Sequence, residues 1–269
     1  MNHDDPALKP SSARPARIWY QSFVDPQEQR PYMVRLQEHL TAYADPQIRF
    51  EVRGISPPDR HLSPLSEFRC AAQMIRNAIE AEAQGYDAVV IGHFQEPGLT
   101  ETRTAVDVPV IGLGESTILH ACTLGCRFGL VTINPVFVPW HRQQILQMGL
   151  GQRAVGVRAM TTQVATYTQA FEDEAAYLEV REHFRQQARP LVDDGAEVVI
   201  PAGGLPMLLF ARERGFTIEG AVVLNGIAVV AAMAEVAVKL HRLTGIAVSR
   251  TGTFAKAPPG AVQEFLSSR

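Results

Sequence analysis

The sequence predicts an α/β protein of two pseudo-symmetric lobes, each a parallel sheet flanked by helices, with an active-site cleft between them. Three observations predict it. Short apolar, β-branched runs alternate with longer stretches of helical periodicity, the pattern of a mainly parallel sheet with covering helices. Glycines stand where helix C-caps belong, with Gly85, Gly149, Gly195 and Gly215 each following a helical run. Three pairs of segments also repeat in order at nearly one offset.

Taken along the chain, strands are expected at 17–21, 49–54, 88–92, 108–112, 129–133, 154–157, 198–201 and 221–224. Helices are expected at 31–43, 67–84, 116–123, 139–148, 173–194, 205–214 and 227–243. GYDAVVIGHFQEPGL, from Gly85, matches GAEVVIPAGGLPMLL, from Gly195, at an offset of 110 residues. PVIGLG matches AVVLNG at an offset of 112, and RIWYQS matches FGLVTINP at the same 112. Generic strand-then-glycine grammar accounts for any one pair, whereas three in order point to duplication of one unit. The expected division is a disordered leader at 1–16, a first lobe at 17–116 plus 225–269, and a second at 117–224.

Composition narrows the function classes. The chain has 269 residues, 46% hydrophobic and 20% charged, with a formal net charge of −3. That is ordinary globular composition, and the slight acidity argues against a nucleic-acid or anionic-membrane partner. No apolar run approaches the roughly 18 residues that span a bilayer. The N-terminal stretch is polar and Pro-rich, without a signal-peptide core. Three cysteines, Cys70, Cys122 and Cys126, suit reduced thiols and a cytoplasmic location. Cys122 and Cys126 share a helical spacing with His120 close by, but a zinc site needs further ligands, so packing is the expectation. The sequence has no P-loop, no H-E-x-x-H and no G-x-S-x-G. No metal and no other cofactor is therefore expected, and the partner is a small molecule.

In parallel sheets, ligands sit beyond the carboxyl ends of the strands. Those ends carry Gln21, Ser22, His93, Phe94 and Glu115 in the first lobe, and Thr132, Asn134, Ala202, Gly203 and Gly204 in the second. His93 follows a buried strand and precedes a Pro-Gly turn, where an imidazole can exchange a proton near neutral pH. Glu96, three residues on, could orient it or serve as a second acid/base group. The alternative is a hydrogen-bonded structural histidine. Ala202, Gly203 and Gly204 form a small-residue turn whose backbone N–H groups could face an anion, or one that needs glycine only for its geometry. Gln21, Ser22, Thr132 and Asn134 offer neutral hydrogen-bonding groups, and Ser22 and Asn134 serve equally well as helix caps. The loop Pro57 to Leu62 is either solvated or carries Arg60 or His61 over the cleft.

These blocks, Ala88 to Leu99 followed by Val108 to Ser116, Phe128 to Pro139 with its Gly-Leu-Val-Thr strand, and Ala196 to Leu205, resemble the aspartate/glutamate/hydantoin racemase superfamily, and its hydantoin-racemase-like branch above all. The resemblance runs from about Arg17 to the C-terminus. It implies two similar α/β lobes around one active site, a cofactor-independent reaction beside a carbonyl or carboxylate of a small acid or cyclic amide, and a homo-oligomer. Racemases of the family use two cysteines, one per lobe, on opposite faces of a planar intermediate. The first should fall at His93 and the second at Ala202, so this chain has neither thiol. Three readings follow: an isomerase or lyase with His93 as its acid/base group, a true racemase with other acid/base groups, and a binding protein that has kept the cleft.

Overall fold

The computed structural model describes residues 14–268, and the duplication is plain in its sheets. The first sheet has strand order β2-β1-β3-β4, built from β1 (Ala16–Gln21), β2 (Ile48–Arg53), β3 (Ala88–Ile91) and β4 (Val110–Gly112). The second has order β6-β5-β7-β9-β8, built from β5 (Phe128–Thr132), β6 (Ala154–Ala159), β7 (Val198–Ala202), β8 (Thr217–Ile218) and β9 (Ala221–Val223). Every pairing is parallel except β8 against β9. Removing the short edge strand β8 leaves the same order twice. The segments matched at offsets near 110 therefore occupy equivalent strands: β1 with β5, β3 with β7 and β4 with β9.

Strand alternation builds two cores around the first sheet, because successive side chains point to opposite faces. Trp19, Val89 and Ile91 face one cluster with Cys70, Met74 and Ala78 of helix α2 (Pro64–Ala83). Ile18, Tyr20, Ala88 and Val90 face a larger cluster that continues into the second sheet through Leu130, Ile200 and Ile227. Helix α1 (Arg30–Tyr43) sends Tyr32, Leu36 and Leu40 into that shared core. A short helix α3 (Leu99–Ala105) leads to β4, and helix α4 (Leu113–Leu124) then packs on β7 and on the long C-terminal helix. Helices α5 (Val138–Gln147), α7 (Glu174–Asp193) and α8 (Gly204–Phe210) pack on the second sheet, and α6 (Val164–Ala170) packs on α7 and α8. Helix α9 (Gly226–Thr244) returns to lie on β3 and β4, and α10 (Pro259–Ser267) docks on α2, where Arg76 stacks over Phe265 at 4.6 Å.

Local chemistry sets the boundaries. Ser63 and Ser66 form a reciprocal capping box at the start of α2. Asp173 accepts from the N–H groups of Ala175 and Ala176 at the start of α7. Gly85, Gly149, Gly195 and Gly215 all adopt positive φ, as left-handed caps require.

Several expectations need correction. Ala16 is not part of a leader, because it is fully buried and opens β1. Arg14 is anchored to Asp87 at 2.9 Å. The rest of that expectation, residues 1–13, lies outside the described residues. Cys126 is exposed beyond the end of α4 and not packed. The strand β8 and the helices α3, α6 and α10 were not expected. They are short or tail elements, and they gain their order from packing more than from periodicity. Among the described residues, no helix is long and apolar enough to cross a membrane.

Candidate active site

A cleft of about 470 Å³ opens between the carboxyl ends of the two sheets. From the first lobe it is lined by Ser22, Phe23, Asp25, Tyr32 and His93, among others, and from the second by Asn134, Thr161 to Gln163, Gly203 and Gly204.

His93 lies two residues past the end of β3, with its side chain 23% exposed to the cleft. Two contacts hold its ring. The imidazole stacks on Phe23, with centroids 4.7 Å apart and planes 16° from parallel. Its Nε2 is 3.0 Å from Oε1 of Glu67. Glu67 stands in the first turn of α2 on the stripe that also buries Cys70, Ala71 and Met74. Helical periodicity thus aims a carboxylate inward beneath the histidine. Its other oxygen, Oε2, is buried without a donor. A carboxylate on Nε2 favours the tautomer with the proton there, leaving Nδ1 as the nitrogen free to take a proton from a ligand.

The second lobe meets the cleft differently. Gly203 and Gly204 follow β7, and a β-carbon on Gly204 would come 2.7 Å from the Tyr32 hydroxyl. Tyr32 is almost fully buried, its hydroxyl bonded to Ser22, and burial pushes it up to about 12. It is therefore a neutral hydrogen-bonding group at working pH. Asn134 reaches the cleft while its side chain caps the following turn at Val136.

Six expected site residues do not line this cleft. The Glu96 backbone takes a left-handed φ of 53°, and its carboxyl turns away from His93. There Oε1 accepts from the Glu115 N–H at 2.8 Å and Oε2 from Gln144 at 2.9 Å. Burial pushes that carboxyl up to about 8. Phe94 is fully buried and meets His141 edge-on at 5.2 Å. Thr132 is buried against His141, its Oγ1 3.1 Å from Nε2. His141 itself is held down to about 4, chiefly by burial, and so stays neutral. Glu115 pairs with Arg103. Gln21 ties down the β2 end by donating to the Arg53 and Gly54 carbonyls at 3.1 and 2.9 Å. Ala202 is the last residue of β7 and fully buried in the core. Of the loop residues, Arg60 reaches the rim, where it pairs with Glu28, and His61 does not line the cleft.

Sequence reasoning missed Glu67, Phe23 and Tyr32. Glu67 had a readable signal, namely an acidic residue three, four and seven positions before Cys70, Ala71 and Met74 on an otherwise apolar stripe. Phe23 and Tyr32 had none, because core aromatics and site aromatics look alike in sequence.

A sequence model of the family described as Asp/Glu/Hydantoin racemase matches residues 31–234. The chain belongs to the Asp/Glu/hydantoin racemase family. It is 29% identical over 183 residues to a hydantoin racemase of Rhizobium meliloti, a match covering 68% of this chain and 71% of that protein. It is 26% identical over 218 residues to a hydantoin racemase of Pseudomonas sp. (strain NS671), covering 80% of this chain and 85% of that one. Among solved structures, the allantoin racemase from Klebsiella pneumoniae superposes with a TM-score of 0.71 at 23% identity, covering 90% of this chain and 94% of that chain. This last likeness is one of fold. The chain is thus a racemase-family enzyme with the two-lobed parallel-sheet architecture of that family.

Proposed function

We propose that this family member moves a proton on one face of its substrate, at a carbon beside a carbonyl of a cyclic amide or small acid, with His93 as the acid/base group and Glu67 as its positioning residue. The observation that carries this is the asymmetry of the cleft. The second lobe contributes Ile133, Asn134, Phe137, Thr161, Thr162, Gln163, Val164, Ala165, Gly203, Gly204 and Leu205 to it, and none of these side chains titrates near neutral pH. On the first lobe His93 stands where proton transfer is possible, held by Glu67 and Phe23. Asp25 is a poor rival base. It accepts from the N–H groups of Gln27 and Glu28 and from Ser56, and these bonds hold it below the usual carboxylate range.

In the proposed step, His93 Nδ1 removes the proton beside the carbonyl while Nε2–H stays on Glu67. Neutral donors of the cleft, among them Ser22 and Asn134, meet the oxygen on which charge gathers. The proton then returns from His93 to the same face, either to the same carbon or to a neighbouring one of the conjugated system. An isomerisation by proton shift fits this arrangement, and so does a reaction that ends in protonation of a carbanion.

The test is proton NMR in D₂O with a panel of hydantoins, amino acids, malonates and unsaturated diacids, comparing wild type with His93→Ala. Exchange or conversion of a compound by wild type, lost in the variant, is the expected result. Equal activity in both proteins would remove His93 from the mechanism.

A further inference from the structure

The charge lining the cleft is one-sided. Asp25, Glu28, Asp59 and Glu67 present four carboxylates, and Arg60 is the one guanidinium or ammonium among the described lining residues. Arg60 is already paired with Glu28, and both stand half-exposed at the rim. Deeper in, no lysine or arginine among the described residues pairs with the acids, and Glu67 has only the His93 ring on its Oε1. Glu67 has a side chain only 8% exposed, and its Oε2 is buried without a donor. Asp59 spends Oδ1 on the N–H groups of His61 and Leu62, at 2.9 and 2.8 Å, and its Oδ2 is likewise buried without a partner. Asp25 is held below the usual carboxylate range by Ser56 and by the N–H groups of Glu28 and Gln27. A cleft with low-dielectric walls and charge of one sign focuses the field on whatever enters it, and the two carboxylate oxygens left buried without a donor, Glu67 Oε2 and Asp59 Oδ2, are costly until a donor or counter-charge arrives.

Resting on the reading of this cleft as the substrate site, we infer that its substrate carries a cationic nitrogen group, an ammonium or guanidinium, against the wall formed by Asp25, Asp59 and Glu67, and no free carboxylate on that side. A carboxylate there would find no unpaired cation and would face the acids at close range. The reacting ring or amide, being neutral, lies at His93, and the cationic arm runs from it towards the Asp59 loop. The site thereby differs from one built to seat a carboxylate on that wall, where this cleft presents anions.

Three ligands of matched size test this on the full-length protein: hydantoins bearing an aminopropyl, an n-butyl or a carboxyethyl arm, with affinities measured by calorimetry at low and high salt. The aminopropyl compound should bind about tenfold tighter than the butyl compound at low salt, with the carboxyethyl compound weakest. That spread should narrow at high salt. Asp59→Asn retains the Oδ1 acceptor that shapes the loop, so it should erase most of the ratio between amine and butyl affinities. Carboxyethyl binding as tight as aminopropyl, or an amine preference untouched by Asp59→Asn, would overturn the inference. Because the readout is binding, the inference survives if none of the three compounds turns over, a result that would count against the catalytic proposal alone.

Discussion

The carboxyl end of β3 and the carboxyl end of β7 are two copies of one design put to different uses. Both strands are central in sheets of the same order, and both hand over to a turn at the cleft. After β3 comes His93, backed by Glu67 and stacked on Phe23. After β7 come Gly203 and Gly204, and at Gly204 even a methyl group would press on Tyr32. The backbone symmetry sets two strand ends across the cleft, and in the proposed mechanism only the first is armed. A duplicated scaffold therefore fixes where chemistry can happen without fixing whether it is two-faced.

Removing the armed side should have the largest effect. His93→Ala should lower turnover by a factor on the order of 10² or more, with a modest loss of stability because it leaves the buried Glu67 carboxylate without the ring it pairs with. A fall in stability that parallels the fall in rate would instead make His93 structural. Next, Glu67→Gln keeps the shape but withdraws the charge beneath Nε2. Turnover should fall about tenfold, with KM little changed. The imidazole ¹⁵N shifts should also report a changed tautomer balance, which a purely structural role for Glu67 would leave alone.

On the unarmed side, Gly204→Ala should raise KM several-fold more than it lowers kcat, because the new carbon would come 2.7 Å from the Tyr32 hydroxyl at the edge of the ligand space. Unchanged kinetics would mean that substrate does not use that wall.

The smallest effect on activity belongs to Glu96→Gln, since its carboxyl faces Glu115 and Gln144 and not the cleft. Its signature is in stability. The folded chain holds this carboxyl up at about 8 against an ordinary 4.5, so it binds the proton more tightly than the unfolded chain does. The stability it lends is full below about pH 4.5 and is lost as the pH rises towards 8. Melting curves between those limits should slope downward with pH in wild type and be flatter in Glu96→Gln. Parallel curves would contradict the protonated, buried state.

The same contrast explains what the sequence could and could not tell. Apolar runs and capping glycines located the eight principal strands, because backbone burial demands them whatever the site does. The repeat at Gly85 and Gly195 was legible for the same reason. His93 could be singled out because a polar ring just past a fully apolar strand is conspicuous. Glu96 misled because spacing in sequence says nothing about which way a left-handed residue turns its side chain. Its neighbours Phe94 and, across the lobes, Thr132 were drawn into a buried strut with His141 and Gln144. Ala202 lay one residue too early, inside the strand. The true partner, Glu67, comes from a helix 26 residues away in sequence, so only the fold could bring the two together.

The most direct test follows the stereochemistry at the reacting carbon. An optically pure cyclic amide that exchanges its proton in D₂O is incubated with the wild-type enzyme. Deuterium incorporation is read by NMR and configuration by chiral chromatography on the same sample. One armed face predicts exchange that runs well ahead of inversion, with configuration retained after many turnovers. Inversion keeping pace with exchange would show a second acid/base group across the cleft and contradict the one-faced account.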